Sequence, residues 1–98
     1  MTIQTHIIGL EPKFQLGEIV ATTNCYNKIN DLDRATALTR HAQGDWGEIC
    51  DHDRKQNAYA LEHGSRLMSV YDDRDSKRFW IITESDRSVT TLLMPEDY

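Results

Sequence analysis

The densest group of potentially reactive side chains lies in residues 41–53, with the sequence HAQGDWGEICDHD. Thiolate and imidazole groups are typical zinc ligands, so Cys50 and His52, with His41 or Cys25, are the natural candidates for a metal site. Their spacing lacks the paired C-x-x-C or H-x3-H arrangement of structural zinc sites, and the carboxylates lack the D-x-D-x-D-G pattern of a calcium loop. Acidic residues in the first turn of a helix also complement its dipole, which accounts for most of these carboxylates. We therefore expect no metal ligands.

Nucleophilic catalysis would need a cysteine or hydroxyl group beside a base and an orienting group. The chain has the cysteines Cys25 and Cys50 and 4 histidines, but no nucleophile elbow, glycine-rich phosphate loop or paired-carboxylate motif surrounds them. A lone cysteine in a small domain is usually a buried apolar residue. We expect no catalytic residues and no cofactor. The alternative is a small metal-dependent or hydrolytic enzyme centred on His41, Asp45, Cys50 and His52.

Two short segments are candidates for contacts with another protein. Trp46 stands between Asp45 and Gly47, and a large aromatic residue in a glycine-flanked loop either fills the core or anchors a partner. We favour the first interpretation. The second segment is the charged turn at residues 84–88, where plain turn chemistry is the simpler explanation. The candidate protein-binding residues are Asp45, Trp46, Glu48, Glu84, Asp86 and Arg87.

The composition limits the classes of function. The chain has 98 residues, with 16 acidic and 11 basic side chains and a formal charge of -5. The basic residues are scattered, whereas nucleic-acid binding needs a coherent positive face, so we expect no direct nucleic-acid contact. No apolar run approaches the roughly 20 residues of a membrane span. No secretory signal is visible, and two cysteines suit a reducing compartment, so we expect a cytoplasmic protein.

The first half of the chain predicts one strand and two or three helices. Residues 14–23 are β-prone and lead into a short helix near residues 25–29. Asp31 is the predicted N-cap of the next helix, which Gly44 ends. Its predicted apolar stripe is Leu32, Ala35, Leu38 and Ala42. A further helix, capped by Asp51 or Asp53, would carry Ala58 and Leu61 in its apolar stripe and end at Gly64.

The last third of the chain has strand character. Residues 67–71, 78–83 and 89–94 are β-rich runs separated by DDRDSK and ESDRS, which predicts a three-stranded antiparallel meander. Bulky residues alternate on both faces of residues 78–83, so we expect this strand to be central. We predict an α+β fold in which the N-terminal strand pairs back onto the meander and the helices pack on one face. Residues 1–13 would form a flexible or loosely docked arm, and residues 14–98 the single domain.

Three segments carry a resemblance to known proteins: FQLGEIVAT (residues 14–22), RHAQGDWGEICDHDRKQNAYAL (residues 40–61) and RFWIITESDRSVTTLLMPEDY (residues 78–98). They resemble a family of small uncharacterised proteins of bacterial plasmids and other mobile elements. Its members are often labelled plasmid-related protein or type I restriction enzyme subunit M. A chain this short, without a glycine-rich strand-turn-helix fingerprint, cannot contain a methyltransferase domain, so the resemblance implies context and not activity.

The resemblance implies a non-enzymatic accessory protein that binds a protein of the host or of the element. That partner would be a defence or nucleic-acid-processing protein, which the chain inhibits or modulates. Exposed strands with β-branched residues can also pair with each other, so a homodimeric structural module is a further hypothesis. We expect a monomer or a weak homodimer.

Overall fold

The computed structural model describes residues 11–98, which form a four-stranded sheet and three α-helices. In chain order the elements are β1 (Glu18–Ala21), α1 (Thr23–Lys28), α2 (Asp31–Ala42), α3 (Asp51–His63), β2 (Leu67–Asp72), β3 (Arg78–Thr83), β4 (Val89–Leu93) and a 3-10 turn (Pro95–Asp97). Most of the predicted N-terminal arm, residues 1–10, lies outside the described residues. Its last part is docked, because the Lys13 N–H donates to the carbonyl of Ala42 at 2.8 Å.

The sheet has the strand order β1-β4-β3-β2, which confirms the α+β prediction. β2, β3 and β4 form the predicted antiparallel meander, and β3 lies inside the sheet as its two bulky faces indicated. β1 pairs back onto β4 in parallel, with Glu18 aligned to Val89 and Ala21 aligned to Leu92. The two outer strands of the sheet are therefore β1 and β2.

The sheet has two faces of different character. One face, which we call the first face, carries the side chains of Ser69, Tyr71, Phe79, Ile81, Thr83, Thr90 and Leu92. Cys25 of α1, Ile29, the residue that follows α1, and Ala37 and Leu38 of α2 pack against the apolar residues of this face. The opposite face, which we call the second face, carries the side chains of Met68, Val70, Trp80, Ile82, Thr91 and Leu93. There the Tyr98 ring packs against Trp80, with ring centroids 5.5 Å apart.

The N-cap of α2 is Asn30, so the prediction of Asp31 is wrong. The Asn30 side chain accepts a hydrogen bond from the Asp33 N–H at 2.9 Å. Asp31 is already the first helical residue, and its carboxylate pairs with Arg34. The cap therefore precedes the first acidic residue by one position.

The buried side of α2 also differs from the predicted apolar stripe. Leu32 is 65% exposed and Ala35 is exposed as well. The buried residues are Arg34, Ala37, Leu38, His41 and Ala42. Arg34 is held inside because its guanidinium donates to the carbonyls of Tyr26 and Ile29, at 2.7 and 2.5 Å. Hydrogen bonding to buried carbonyls thus determines which side of α2 faces the core.

Helix α3 begins at Asp51, with Cys50 in the N-cap position and no side-chain capping bond. Capping by Asp51 or Asp53 is therefore wrong, since both lie in the first turn. The helix ends at the left-handed Gly64, as predicted. Its buried residues are Asn57 and Ala60, in place of the predicted Ala58 and Leu61. Within residues 11–98, no helix has the length and hydropathy needed to cross a membrane.

Candidate functional site

The GDWG segment, residues 44–47, lies along the outer edge of β2. The Val70 N–H donates to the Trp46 carbonyl at 3.1 Å, and the Glu48 N–H donates to the Val70 carbonyl at 2.7 Å. Gly47 has a φ of +72°, and a Cβ atom there would lie 2.0 Å from the Val70 carbonyl oxygen. Because only glycine allows both this conformation and this close approach, Gly47 fixes the loop against β2.

Trp46 is a core residue that is only 5% exposed. Its ring stacks on Phe14, with centroids 6.0 Å apart, and lies edge-on to His41, with centroids 5.5 Å apart. The core-filling interpretation is confirmed, and the interpretation as an exposed partner anchor is wrong. The indole ring therefore belongs to an aromatic group formed with Phe14 and His41.

The acidic neighbours of Trp46 remain at the surface. The Asp45 carboxylate accepts hydrogen bonds from the Arg40 guanidinium at 2.7 and 3.2 Å, and this contact lowers the pKa of Asp45. The Asp45 backbone carbonyl accepts from the Tyr71 hydroxyl at 2.6 Å. Glu48 is exposed and forms no ion pair with any residue of the described range. Of the two carboxylates, only Glu48 is uncommitted.

The turn at residues 84–88 is held by its own charged side chains. The Arg87 guanidinium donates to the carbonyls of Ala60 at 3.0 Å, Ser65 at 2.6 Å and Glu84 at 3.1 Å. The Glu84 carboxylate accepts from Arg66 at 3.3 Å. These bonds tie the turn to the C-terminal end of α3, where a cation complements the helix dipole. Arg87 is therefore engaged inside the fold.

Asp86 stands at the tip of the same turn. Its carboxylate accepts hydrogen bonds from the Ser88 N–H and hydroxyl, at 3.0 and 2.6 Å, and these bonds lower the pKa of Asp86. The Ser88 carbonyl in turn accepts from the Glu18 N–H at 3.0 Å. The exposed carboxylates of Asp86 and Glu18 therefore flank the same end of β1.

A buried chain of hydrogen bonds connects α2 with three strands. His41 is fully buried; its Nδ1 lies 2.5 Å from Ser69 Oγ, and its Nε2 lies 2.9 Å from Thr83 Oγ1. Thr83 Oγ1 is 2.7 Å from Thr90 Oγ1, and the Thr90 hydroxyl donates to the Leu16 carbonyl at 2.7 Å. We call these groups the His41 network. It crosses β2, β3 and β4 and reaches the segment before β1.

The Leu16 carbonyl at one end of the His41 network fixes the direction of the hydrogen bonds between it and His41. The Leu16 carbonyl can only accept, so Thr90 donates to it, Thr83 donates to Thr90, and the Nε2–H of His41 donates to Thr83. The Ser69 hydroxyl can donate or accept, so the pKa of His41 decides the protonation of Nδ1. Burial, assisted by the positive charge of Arg87, lowers this pKa to about 3, so at pH 7 the imidazole is neutral and Nδ1 accepts from the Ser69 hydroxyl.

The four residues of the enzyme hypothesis, His41, Asp45, Cys50 and His52, do not form a metal site in the described structure. His41 is buried in the network and Asp45 pairs with Arg40, while Cys50 and His52 are exposed. Across the described range, no group of three or more His, Cys, Asp or Glu side chains is placed to hold a metal ion. Cys25 is fully buried, and burial raises its pKa to about 11, so its thiol stays protonated at neutral pH.

The outer edge of β2 is sealed. The Asn57 side chain donates to the Met68 carbonyl at 2.7 Å and accepts from the Met68 N–H at 3.2 Å. The next outward-facing residue, Val70, pairs with Trp46 and Glu48. The N–H and C=O groups of both residues are thus bonded within the chain, which blocks the addition of a strand along the middle of this edge.

The outer edge of β1 is different. The N–H groups of Glu18 and Thr22 donate to carbonyls on the β4 side, at 3.0 and 2.9 Å. Because directions alternate along a strand, the N–H and C=O groups of Ile19 and Ala21 point away from the sheet. Nothing in residues 11–98 bonds to them. β1 also lacks the lysine, proline or bulge that commonly blocks an edge. The absence of lysine and proline can be read from the sequence EIVA, but the position of β1 at the edge of the sheet cannot.

Comparisons with known proteins leave the family open. Neither a protein-family model, nor a curated protein, nor a solved structure shows a significant match to this chain.

Proposed function

We propose that this chain is a non-catalytic protein-binding module that takes up an extended segment of its partner at β1. The observation that carries the proposal is that nothing in residues 11–98 bonds to the outward N–H and C=O groups of Ile19 and Ala21. The edge of β2, in contrast, is covered by Asn57 and the GDWG segment at Met68 and Val70. An added strand satisfies such groups with main-chain hydrogen bonds, which supply affinity.

The surroundings of β1 indicate what the partner strand would carry. Ile19 packs partly against the core on the first face, whereas Val20 lies half-buried on the second face. The carboxylates of Glu18 and Asp86 flank the start of the strand, and the chain has a net charge of -5. These charges favour a partner with basic residues next to its extended segment, and salt would weaken such binding.

The resemblance to plasmid-borne proteins adds the biological part of the proposal. The partner would be a host defence or nucleic-acid-processing protein of the cytoplasm, which the chain inhibits or modulates. The exposed carboxylates of Asp45 and Glu48 and the half-buried carboxylate of Glu84 are further candidate contacts. The buried Trp46 and the internally bonded Arg87 would support the surface from beneath.

The test is capture of the partner by tagged wild-type protein and by two lysine variants, with cross-links located by mass spectrometry. Ala21→Lys places a charged side chain on the exposed β1 edge, and Ala58→Lys places the same side chain on the exposed side of α3. We expect a partner that cross-links beside β1, is lost with Ala21→Lys and is retained with Ala58→Lys.

Two results would contradict the proposal. Equal capture by both variants would remove β1 as the binding element. Absence of any reproducible partner, with an intact wild-type protein, would argue against a binding function and favour the enzyme hypothesis around His41, Asp45, Cys50 and His52.

A further inference from the structure

We infer that, in the free protein, the β1 edge pairs with the β1 edge of a second copy, antiparallel about a twofold axis at Val20. This inference rests on the β1 edge being the binding element proposed above, and it names what occupies the edge before a partner arrives. The partner would then compete with the second copy.

The sequence of β1 is self-complementary in this register. With Val20 opposite Val20 of the other copy, Ile19 lies opposite the other copy's Ala21. These are the residues whose N–H and C=O groups point away from the sheet, so each such pair can exchange two hydrogen bonds. The large Ile19 side chain meets a small one. Glu18 meets Thr22, whose hydroxyl donates to the Asp97 carboxylate at 2.6 Å, so acidic side chains lie at each end of the interface and weaken it.

The second face supplies an apolar reason for the same register. Val20 is aligned with Thr91, Thr91 with Ile82, and Ile82 with Met68, so the four form one row across the sheet. Val20 and Met68 are half-buried at the two ends of the row. When Val20 pairs with Val20 of the second copy, the two rows join into one row across a single continuous sheet formed by both copies. This pairing also removes more of the Val20 side chain from water.

Length and charge determine the strength of the pairing. β1 has 4 residues, and each copy has a net charge of -5, so the dimer is weak and dissociates on dilution. Salt screens the repulsion between two acidic copies and therefore strengthens the dimer. This salt effect is opposite to the one expected for a basic partner.

The test combines sedimentation equilibrium with amide hydrogen exchange of the full chain, over a range of protein and salt concentrations. We expect a monomer–dimer equilibrium that salt favours, with exchange at the Ile19 and Ala21 amides slowing as concentration rises. Ala21→Lys should raise the dimer dissociation constant by at least about tenfold, because it places a charge and a larger side chain in the interface. Ala58→Lys, with the same net charge, should leave it unchanged.

Three results would overturn the inference. A strictly monomeric profile up to about 1 mM would exclude any useful self-association. A dimer that is equally sensitive to the two lysine variants would lie elsewhere on the surface. Protection of the Ile19 and Ala21 amides that does not vary with concentration would mean that one chain fills its own edge. The proposed function fails separately, when partner capture is insensitive to Ala21→Lys.

Discussion

Acidification should destabilise this protein well before its carboxylates are protonated, because the His41 imidazole is fully buried and burial disfavours its charged form. In the unfolded chain the imidazole has its ordinary pKa of 6.5, whereas in the folded protein burial lowers the pKa of His41 to about 3. Between these values the unfolded state binds a proton that the folded state refuses. The free energy of unfolding therefore falls as the pH decreases through 6.5, and this contribution levels off near pH 3.

The magnitude follows from the two pKa values of His41. Within the window, each pH unit costs about 1.4 kcal/mol, so the loss between pH 7 and pH 5 is about 2 kcal/mol. The lowered pKa values of Asp33, Asp45 and Asp97 act in the same direction, but only from their ordinary value of 3.8 downward. The range from pH 7 to pH 5 thus isolates His41. For a domain with about 5–15 kcal/mol of stability, a loss of 2 is large.

Urea denaturation at several pH values, followed by circular dichroism, would measure this loss. His41→Gln is the informative variant, because an amide can accept from Ser69 and donate to Thr83 but does not titrate. It should remove the pH dependence between pH 7 and pH 5, whatever its stability at neutral pH. The exposed His52 and His63 provide matched controls, and their glutamine variants should keep the wild-type dependence. A folded His41→Gln protein with an unchanged pH dependence would refute the assignment.

Three further substitutions test the structural features that surround the site. Gly47→Ala should lower the free energy of unfolding, measured in urea, far more than Gly64→Ala. Both glycines have a positive φ, which costs an alanine about 1 kcal/mol, but only at Gly47 would the added Cβ atom collide with the Val70 carbonyl. Equal losses would contradict this close approach. Asn57→Ala should cost about 1–3 kcal/mol and promote aggregation in light scattering, since it frees the β2 edge, whereas the exposed Gln56→Ala should do neither. Trp46→Ala should cost about 3–5 kcal/mol in thermal or urea unfolding, as for a core aromatic residue, and a loss below about 1 kcal/mol would contradict its burial.

The strands of the meander were predictable from two signals: β-prone residues occur in short runs, and polar connectors separate these runs. β3 matches its predicted range, and the bulk on both of its faces correctly indicated an interior position. The burial of Trp46 was also foreseen, since two glycines beside a large aromatic residue permit a sharp inward loop. Local pattern suffices where a residue's surroundings come from its own strand or loop.

The buried sides of the helices were predicted only in part, because hydrogen bonds to residues outside each helix help to decide them. Leu38 and Ala42 are buried as predicted, whereas Leu32 and Ala35 are not. Arg34 and His41 are buried by carbonyls and hydroxyls that other elements present, while the apolar Leu32 stays outside. No periodicity of α2 contains this information. Similarly, EIVA contains no lysine or proline, but only the parallel pairing with β4 makes β1 an outer strand.

The central claim, that peptide groups of β1 bind the partner, is tested most directly by removing one of them. Ala21→Pro deletes the outward N–H, which the β1–β4 pairing does not use, and Ala21→Val keeps it. Affinities of the captured partner should be compared for these two variants, after circular dichroism shows that both are folded. We predict that the proline variant binds at least about tenfold more weakly than the valine variant. Equal affinities would contradict strand addition at β1.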